Sequence, residues 1–290
     1  MAPPTHATAR DDLPRALLWM MASGLSFALM AASVKLAGDL PVAVKVFFRN
    51  LVTLGITAVA LAHARANPFA ATPFWPLLLV RAVCGLAGVW LYFVALGGMN
   101  LADASLLNKT SPFFATLFAV LLLGERLVRA MVPVLLLAFL GAALVIKPAF
   151  AYSPLPALAG LASGLFAGAA YTAVRSLKGR AAPDRIIFVF SLVSILVTLP
   201  LVVAARPDPT AGQWWALAGT GVFAAGGQYG LTYAYHHARV GRVSVFSYLH
   251  VLFALVVGFA LWGERPDLLS LVGGCLIVGA AVLARRAGRA

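Results

Sequence analysis

Residues 185–205 read RIIFVFSLVSILVTLPLVVAA, and the one charged side chain of this run stands at its first position. An α-helix needs about 20 apolar residues to cross a hydrocarbon core of ~30 Å, so the run is predicted to span a membrane. The same criterion predicts ten spans in the whole chain: 15–37, 42–63, 74–97, 103–123, 131–147, 154–174, 185–205, 213–235, 243–262 and 268–284. The loops between them are short, so no soluble catalytic domain is expected.

The composition of the chain indicates the same solvent. Of its 290 residues, 62% are hydrophobic and only 11% are charged, whereas a soluble domain carries roughly 25% charged residues. The alternating pattern of a membrane β-barrel is absent, so the predicted fold is an all-α bundle. The first span is longer than the core of a signal peptide and is expected to remain in the protein. Cys84 and Cys275 lack the spacing of a metal or redox site, and no metal or cofactor is expected.

The basic residues are distributed unevenly between the loops. If the N-terminus is cytoplasmic, fourteen Lys and Arg residues fall on the cytoplasmic side and five on the other. The positive-inside rule then predicts a multi-pass protein of the inner membrane with both termini in the cytoplasm. The net charge of +13 follows from this asymmetry and favours contact with anionic lipid. Because the bases are scattered over short loops, nucleic-acid binding is not expected.

The sequence repeats itself once. Ala-Ser-Gly-Leu occurs at 22–25 and again at 162–165, an offset of 140 residues. At an offset of 139, Leu-Gly-Glu-Arg at 123–126 aligns with Trp-Gly-Glu-Arg at 262–265. These matches divide the chain into two halves of five predicted helices each.

The halves, residues 1–148 and 149–290, are predicted to enter the membrane from opposite sides because five is an odd number. Inverted repeats related by a pseudo-twofold axis in the membrane plane are typical of secondary transporters, whose two halves exchange conformations. A purely structural membrane protein has no need of this symmetry. The repeat therefore favours a transporter that works by alternating access.

The chain resembles the drug/metabolite transporter superfamily, in particular its EamA-like branch of ten helices. The resemblance covers nearly the whole chain and rests on Gly-Glu-Arg at 124–126 and 263–265 and on Asn-Lys-Thr-Ser-Pro at 108–112. Within that branch it is similar to the YddG-type exporters, which implies efflux of aromatic and other neutral amino acids. The resemblance also implies a central cavity lined by helices 1, 3, 4, 6, 8 and 9, with helices 5 and 10 at the periphery.

Polar residues inside predicted spans are candidates for this cavity, because burying a polar group in hydrocarbon is costly. Ser105, Asn108 and Pro112 share one face of helix four, and Ser244, Ser247 and His250 follow the matching face of helix nine. The predicted substrate-binding residues are Ser105, Asn108, Lys109, Ser111, Trp90, Tyr92, Gln228, Tyr229, Tyr233, Ser244, Ser247 and His250. Hydrogen bonds between neighbouring helices are the alternative explanation for the Ser and Asn residues.

The charged residues refine this prediction. Lys109 is the best candidate to pair with a substrate carboxylate, whereas Arg49 and Arg81 are expected to extend their side chains to the membrane surface. No carboxylate falls at mid-membrane, and His250 is the one titratable group predicted at depth. Transport is therefore expected to be facilitated or only loosely coupled to protons.

The two Gly-Glu-Arg segments carry a separate prediction. Glu125 with Arg126, and Glu264 with Arg265, each lie just before the next helix. Each glutamate is expected to stabilise the free N–H groups of that following helix, and a gating ion pair is the alternative.

Other functions are weighed against this one. A nucleotide sugar or phosphorylated metabolite would require several cations in the cavity, where only Lys109 is well placed. An intramembrane enzyme would require paired acids or a Ser–His constellation with an orienting carboxylate at one depth, and none occurs. The phosphate-binding loop of a primary active transporter is also missing.

Overall fold

The computed structural model describes residues 12–123, 131–146, 154–177, 180–237 and 248–287, and no β-strand occurs in them. These residues form eleven α-helices: α1 (Leu13–Leu36), α2 (Val42–His63), α3 (Trp75–Gly98), α4 (Leu101–Asn108), α5 (Ser111–Leu123), α6 (Met131–Ile146), α7 (Pro154–Ser176), α8 (Pro183–Ala205), α9 (Ala211–His237), α10 (Leu249–Trp262) and α11 (Leu268–Ala287). The prediction of an all-α fold is thus confirmed for this part of the chain.

Five of the described helices are long and apolar enough to cross a membrane by length and composition: Pro14–Leu36, Val42–His63, Trp75–Gly98, Pro154–Val174 and Pro183–Ala205. Their starts follow ordinary helix chemistry. Pro in the first turn begins α1, α3 and α8, where a missing N–H costs nothing. The Asp12 carboxylate additionally accepts a hydrogen bond from the backbone N–H of Arg15 at 3.2 Å.

The outer surface of the bundle is apolar. Leu122, Trp215 and Leu268 are each more than 70% exposed, and many other large apolar side chains accompany them. A soluble protein would not present such a surface, but lipid solvates it. The interior is mostly apolar as well, but it also carries small polar side chains. Along α2 and α8, Thr57 and Thr198 donate to carbonyl groups one turn earlier in their own helices, at 2.8 and 2.7 Å.

The prediction of one continuous helix over 103–123 is wrong, because the chain turns at Lys109 and Thr110 between α4 and α5. The cause is local. Pro112 has no N–H to donate to the carbonyl of Asn108, so the helical ladder is interrupted there. The Thr110 N–H and hydroxyl both donate to the Leu107 carbonyl, at 3.1 and 2.6 Å, which tightens the last turn of α4.

Helices of the first half of the chain pack mainly on helices of the second half. α1 packs on α9 and α10, while α7 packs on α3 and on α4 and α5. α2 packs on α8, α6 packs on α11, and α4 touches α10. Exchanging α1 with α7, α3 with α9 and α5 with α10 turns the α1–α9 and α1–α10 contacts into the α7–α3 and α7–α5 contacts. The α2–α8 and α6–α11 contacts are unchanged when each helix is exchanged with its counterpart.

Candidate functional site

The break between α4 and α5 brings Lys109 into the bundle. The side chain of Lys109 is half-buried, and among the described residues its ammonium group has no hydrogen-bond or ion-pair partner. The Tyr248 hydroxyl, at the start of α10, donates to the Lys109 carbonyl at 3.2 Å. The break is thus held by the backbone of Lys109, which leaves its charge available for a ligand.

Asn108 joins the break to α7. Its amide nitrogen donates to the Ser163 hydroxyl at 3.1 Å, and Ser163 donates to the Gly160 carbonyl at 2.6 Å. A Cβ atom on Gly164 would lie only 2.8 Å from the carbonyl oxygen of Leu107, so only glycine allows α7 to approach the broken helix this closely. Asn108 thus makes a hydrogen bond between helices, which was the alternative to its predicted role in the cavity, and it does so beside Lys109.

The second half of the chain approaches the same centre through α10. His250 is 3% exposed, so its imidazole ring is buried inside the bundle. Its ring meets the Phe27 ring edge-on, with 6.3 Å between the centroids. A Cβ atom on Gly24 of α1 would lie 3.2 Å from the backbone nitrogen of His250. Gly24 thus packs against α10 as Gly164 packs against the α4–α5 break.

Six other residues that were predicted to bind substrate lie partly or fully inside the bundle. The Tyr92 and Ser105 hydroxyls lie 3.0 Å apart and are both buried, so they satisfy each other between α3 and α4. Ser111 is buried, Trp90 is half-buried against the main apolar core, and Gln228 is half-buried. The buried Tyr229 hydroxyl has no hydrogen-bond partner among the described residues.

Tyr233 is not brought to the centre: it is 45% exposed, and its ring lies 5.1 Å from that of Trp19. Four predicted residues, Ser244, Ser247, Glu125 and Arg126, lie outside the described residues.

Glu264 forms a cluster that sequence reasoning missed. Its Oε1 atom pairs with the Lys35 ammonium, and its Oε2 atom accepts a hydrogen bond from the Leu101 N–H at 2.8 Å. The Lys35 ammonium also donates to the Met99 carbonyl at 3.2 Å and lies 5.2 Å from the centre of the Trp262 ring. This outer cluster, Lys35 with Glu264 and residues 99–101, ties α1 and the α3–α4 turn to the end of α10.

The expectation that Glu264 stabilises the helix after it is therefore wrong. Asp267 performs that role, because its carboxylate accepts from the Ser270 N–H at 2.8 Å. Glu264 instead stabilises the N-terminus of α4, which lies 163 residues away in sequence. Arg265 is exposed and stacks near the Phe259 ring, so it takes no part in the outer cluster.

The outer cluster makes a testable contribution to stability. Glu264→Gln keeps an acceptor for the Leu101 N–H but removes the ion pair, and Lys35→Met removes it from the other side. Each is expected to lower the free energy of unfolding by about 2 kcal/mol, because the remaining charge is poorly solvated. The double variant should lose less than the sum, with a coupling of about 1–3 kcal/mol in a double-mutant cycle. Arg15→Met, which breaks an exposed pair with Asp12, serves as the matched control. Additive losses would show that the pair does not act as a unit.

The expectation for the two arginines is also wrong. Arg49 and Arg81 are 4% and 9% exposed, so both side chains are buried inside the bundle. Both guanidinium groups lie over the Phe190 ring of α8, at 5.5 and 4.2 Å from its centre. Gly85, one turn after Arg81, leaves space for the Arg81 side chain. This glycine is the feature of the sequence from which the inward direction of Arg81 could have been predicted.

A comparison with protein families identifies the fold. The profile of the EamA-like transporter family matches residues 14–147 and, a second time, residues 154–286. The chain belongs to the EamA-like transporter family. It is therefore a multi-pass membrane transporter and not an enzyme.

Individual relatives agree with this family. The chain is 38% identical over 280 residues to the pseudopaline exporter CntI of Pseudomonas aeruginosa, covering 95% of this chain and 98% of the exporter. It is 26% identical over 278 residues to a riboflavin transporter of Brucella anthropi, covering 92% and 97% of the two chains. One solved crystal structure, 19% identical in sequence, superposes with a TM-score of 0.66 over 93% of this chain and 96% of its own, which shows a shared fold.

Proposed function

We propose that this EamA-family protein is a secondary exporter that moves small carboxylate-bearing metabolites, with amino acids as the first class to test, across the inner membrane. The observation that carries the proposal is the Lys109 ammonium, which lacks an anionic partner among the described residues. A charged group at this depth is typical of a substrate pathway. A carboxylate is the natural partner, because its charge-assisted hydrogen bond to an ammonium group is strong.

The broken helix supports the same site. In many transporters, discontinuous helices place the positive N-terminus of a half-helix beside an anionic substrate group. α5 begins at Ser111, two residues after Lys109, so the start of this half-helix and the ammonium group lie on the same turn of chain. His250 and Asn108 would then supply neutral contacts that orient the substrate.

The proposed mechanism is alternating access between two inverted halves, residues 1–148 and 149–290. The exchanged helix pairs support the pseudo-twofold relation, and so do the two separate matches to one family profile. Gly24 and Gly164 occupy equivalent positions in the repeat. Gly24 packs closely against α10, and Gly164 packs closely against the α4–α5 break. Two packings of similar free energy, related by this symmetry, would open the Lys109 site to either side in turn.

The proposed orientation places both termini in the cytoplasm. α1 then ends on the outer side, and the outer cluster of Lys35 and Glu264 closes the path there. Opening toward the outside would require this ion pair to separate. Among the described residues no ion pair joins a carboxylate to Lys109 or His250. Transport in this proposal is facilitated or only loosely coupled to protons.

Pseudopaline is a second candidate substrate, favoured by the 38% identity to an exporter of that compound over nearly the whole of both chains. An exporter of pseudopaline moves its substrate in the same direction as the export proposed for this chain. The riboflavin transporter is less similar, and riboflavin is included below as a comparison compound.

Uptake into inside-out membrane vesicles distinguishes these substrates. Labelled phenylalanine or leucine is expected to enter vesicles that contain the protein faster than vesicles that lack it, and unlabelled neutral amino acids should compete. Their carboxamides, which lack the anion, should compete poorly. Competition by pseudopaline alone would assign the transporter to that compound. Transport of cationic dyes or sugar phosphates, with no response to any carboxylate-bearing compound, would contradict the proposal.

A further inference from the structure

Two buried arginines converge inside the bundle, away from the Lys109 break. Arg81 lies about 9 Å along α3 and Arg49 about 10 Å along α2, at a rise of 1.5 Å per residue. The two helices follow each other in the chain through one loop, so the arginines approach from opposite ends. Their guanidinium groups meet over the ring of Phe190 on α8.

The direction of these side chains is unusual for a membrane helix. A lysine or arginine near a helix end normally extends its charge toward the nearer surface. The Arg81 guanidinium instead lies against Gly85, one turn further into α3, where a Cβ atom would collide with it. The packing therefore holds the Arg81 charge inside the bundle, although the start of α3 is the nearer end of the helix.

The described residues do not neutralise this pair. Arg49 donates one hydrogen bond, to the Asn50 side-chain oxygen at 3.0 Å, and Asn50 in turn donates to the Val46 carbonyl. The Nε atoms of both arginines are buried without a hydrogen-bond partner, and the ion pairs of the described chain involve neither arginine. The Phe190 ring attracts both cations but carries no net charge. Two like charges out of water without a counter-ion destabilise each other and the fold.

We propose that Arg49 and Arg81 form an oxyanion-binding site between α2, α3 and α8. A guanidinium group offers several N–H donors in one plane and matches the two oxygens of a carboxylate or a phosphate. The bound oxyanion satisfies the two free Nε donors and removes the repulsion between the cations. It comes either from the carboxylate of a soluble metabolite or from the phosphate of an anionic lipid.

This arginine site is distinct from the Lys109 site. The described contacts of the Lys109 break are to Ser163 of α7, through Asn108, and to Tyr248 of α10. The arginines lie on α2 and α3 and contact α8. The proposal therefore holds whether or not Lys109 binds the exported substrate.

Thermal unfolding of the purified full chain tests the site. In detergent, sodium succinate or sodium phosphate is compared with sodium chloride at equal ionic strength. In nanodiscs, phosphatidylglycerol is compared with phosphatidylcholine. Wild-type protein is expected to gain about 3 °C or more in Tm in at least one of these arms. A ligand that binds only the folded state stabilises it in this way when the ligand concentration is well above its Kd. A gain in the detergent arm assigns a soluble oxyanion, and a gain confined to phosphatidylglycerol assigns a lipid.

Substitutions identify the residues responsible. Arg49→Met and Arg81→Met should abolish the gain from phosphate or phosphatidylglycerol and lower the gain from succinate, which can also bind at Lys109. Arg180→Met, an exposed matched control, and Lys109→Met should retain the gain from phosphate or phosphatidylglycerol. If a methionine variant does not fold, Arg49→Lys and Arg81→Lys keep the charge but lose the planar fork, and should at least halve the gain. The absence of a gain in every arm for the wild type, or equal gains in the arginine variants, would overturn the proposal. Loss of the gain from phosphate or phosphatidylglycerol in Lys109→Met would also overturn it, by placing the anion at the α4–α5 break.

Discussion

Lys109→Met is expected to reduce transport of carboxylate-bearing substrates by about 10- to 100-fold, because a hydrogen bond to a charged group contributes about 1.5–3 kcal/mol. The loss should disappear when the substrate is replaced by its carboxamide, since that compound has no anion for the ammonium group to bind. Initial rates in inside-out vesicles, measured for both compounds, separate this effect from a general defect.

Stability provides the control for this variant. Among the described residues the Lys109 ammonium makes no ion pair, so its removal should not lower the Tm of the purified protein. Lys109→Arg, which keeps the charge, should retain more transport than Lys109→Met. A Lys109→Met protein that transports carboxylates at the wild-type rate would show that the substrate anion binds elsewhere.

Gly164→Ala is expected to lower the Tm by about 5–10 °C and to abolish transport. The added Cβ atom would lie 2.8 Å from the Leu107 carbonyl and would also meet the Thr110 hydroxyl, so α7 must move away from the break. Such overpacking typically costs about 1–3 kcal/mol, and 1 kcal/mol shifts Tm by about 2–4 °C in a protein of this size class.

Gly55→Ala is the matched control for this substitution. Gly55 lies inside α2 and has no atom within 4 Å of the added methyl group. Alanine there should leave the Tm unchanged or raise it slightly, because alanine favours the helix more than glycine does. Equal Tm values for the two variants would show that close packing of α7 against the break is not required.

Hydropathy predicted the all-α fold and the long helices, because lipid solvation imposes long apolar segments that can be read locally. The helices α1, α2 and α3 begin and end within two residues of the predicted spans 15–37, 42–63 and 74–97. The break at Lys109 was missed because the residues on both sides are apolar and a hydropathy window averages over it. Pro112 carried the signal, since it cannot continue the hydrogen-bond ladder.

The charged sites depended on contacts between distant segments. Glu264 was assigned to the next helix in sequence, but its partners are Lys35 and the Leu101 N–H, brought together by the packing of α10 on α1 and α4. Arg49 and Arg81 were assigned to the surface from their depth alone. Their inward direction is set by the Phe190 ring on another helix and by the space at Gly85. The role of Lys109 stays a prediction, and it could be made from sequence because depth and a place beside Asn108 are both local properties.

The central claim is that this chain is a carrier that alternates access around Lys109. Counterflow in proteoliposomes, at equal pH on both sides, tests it most directly. Liposomes loaded with unlabelled substrate are diluted into trace labelled substrate, the compound being chosen from the vesicle competition. The account predicts that the label accumulates transiently above its equilibrium level with the wild type, and that this overshoot is lost in Lys109→Met. Simple equilibration of the label without an overshoot at any internal load would contradict it.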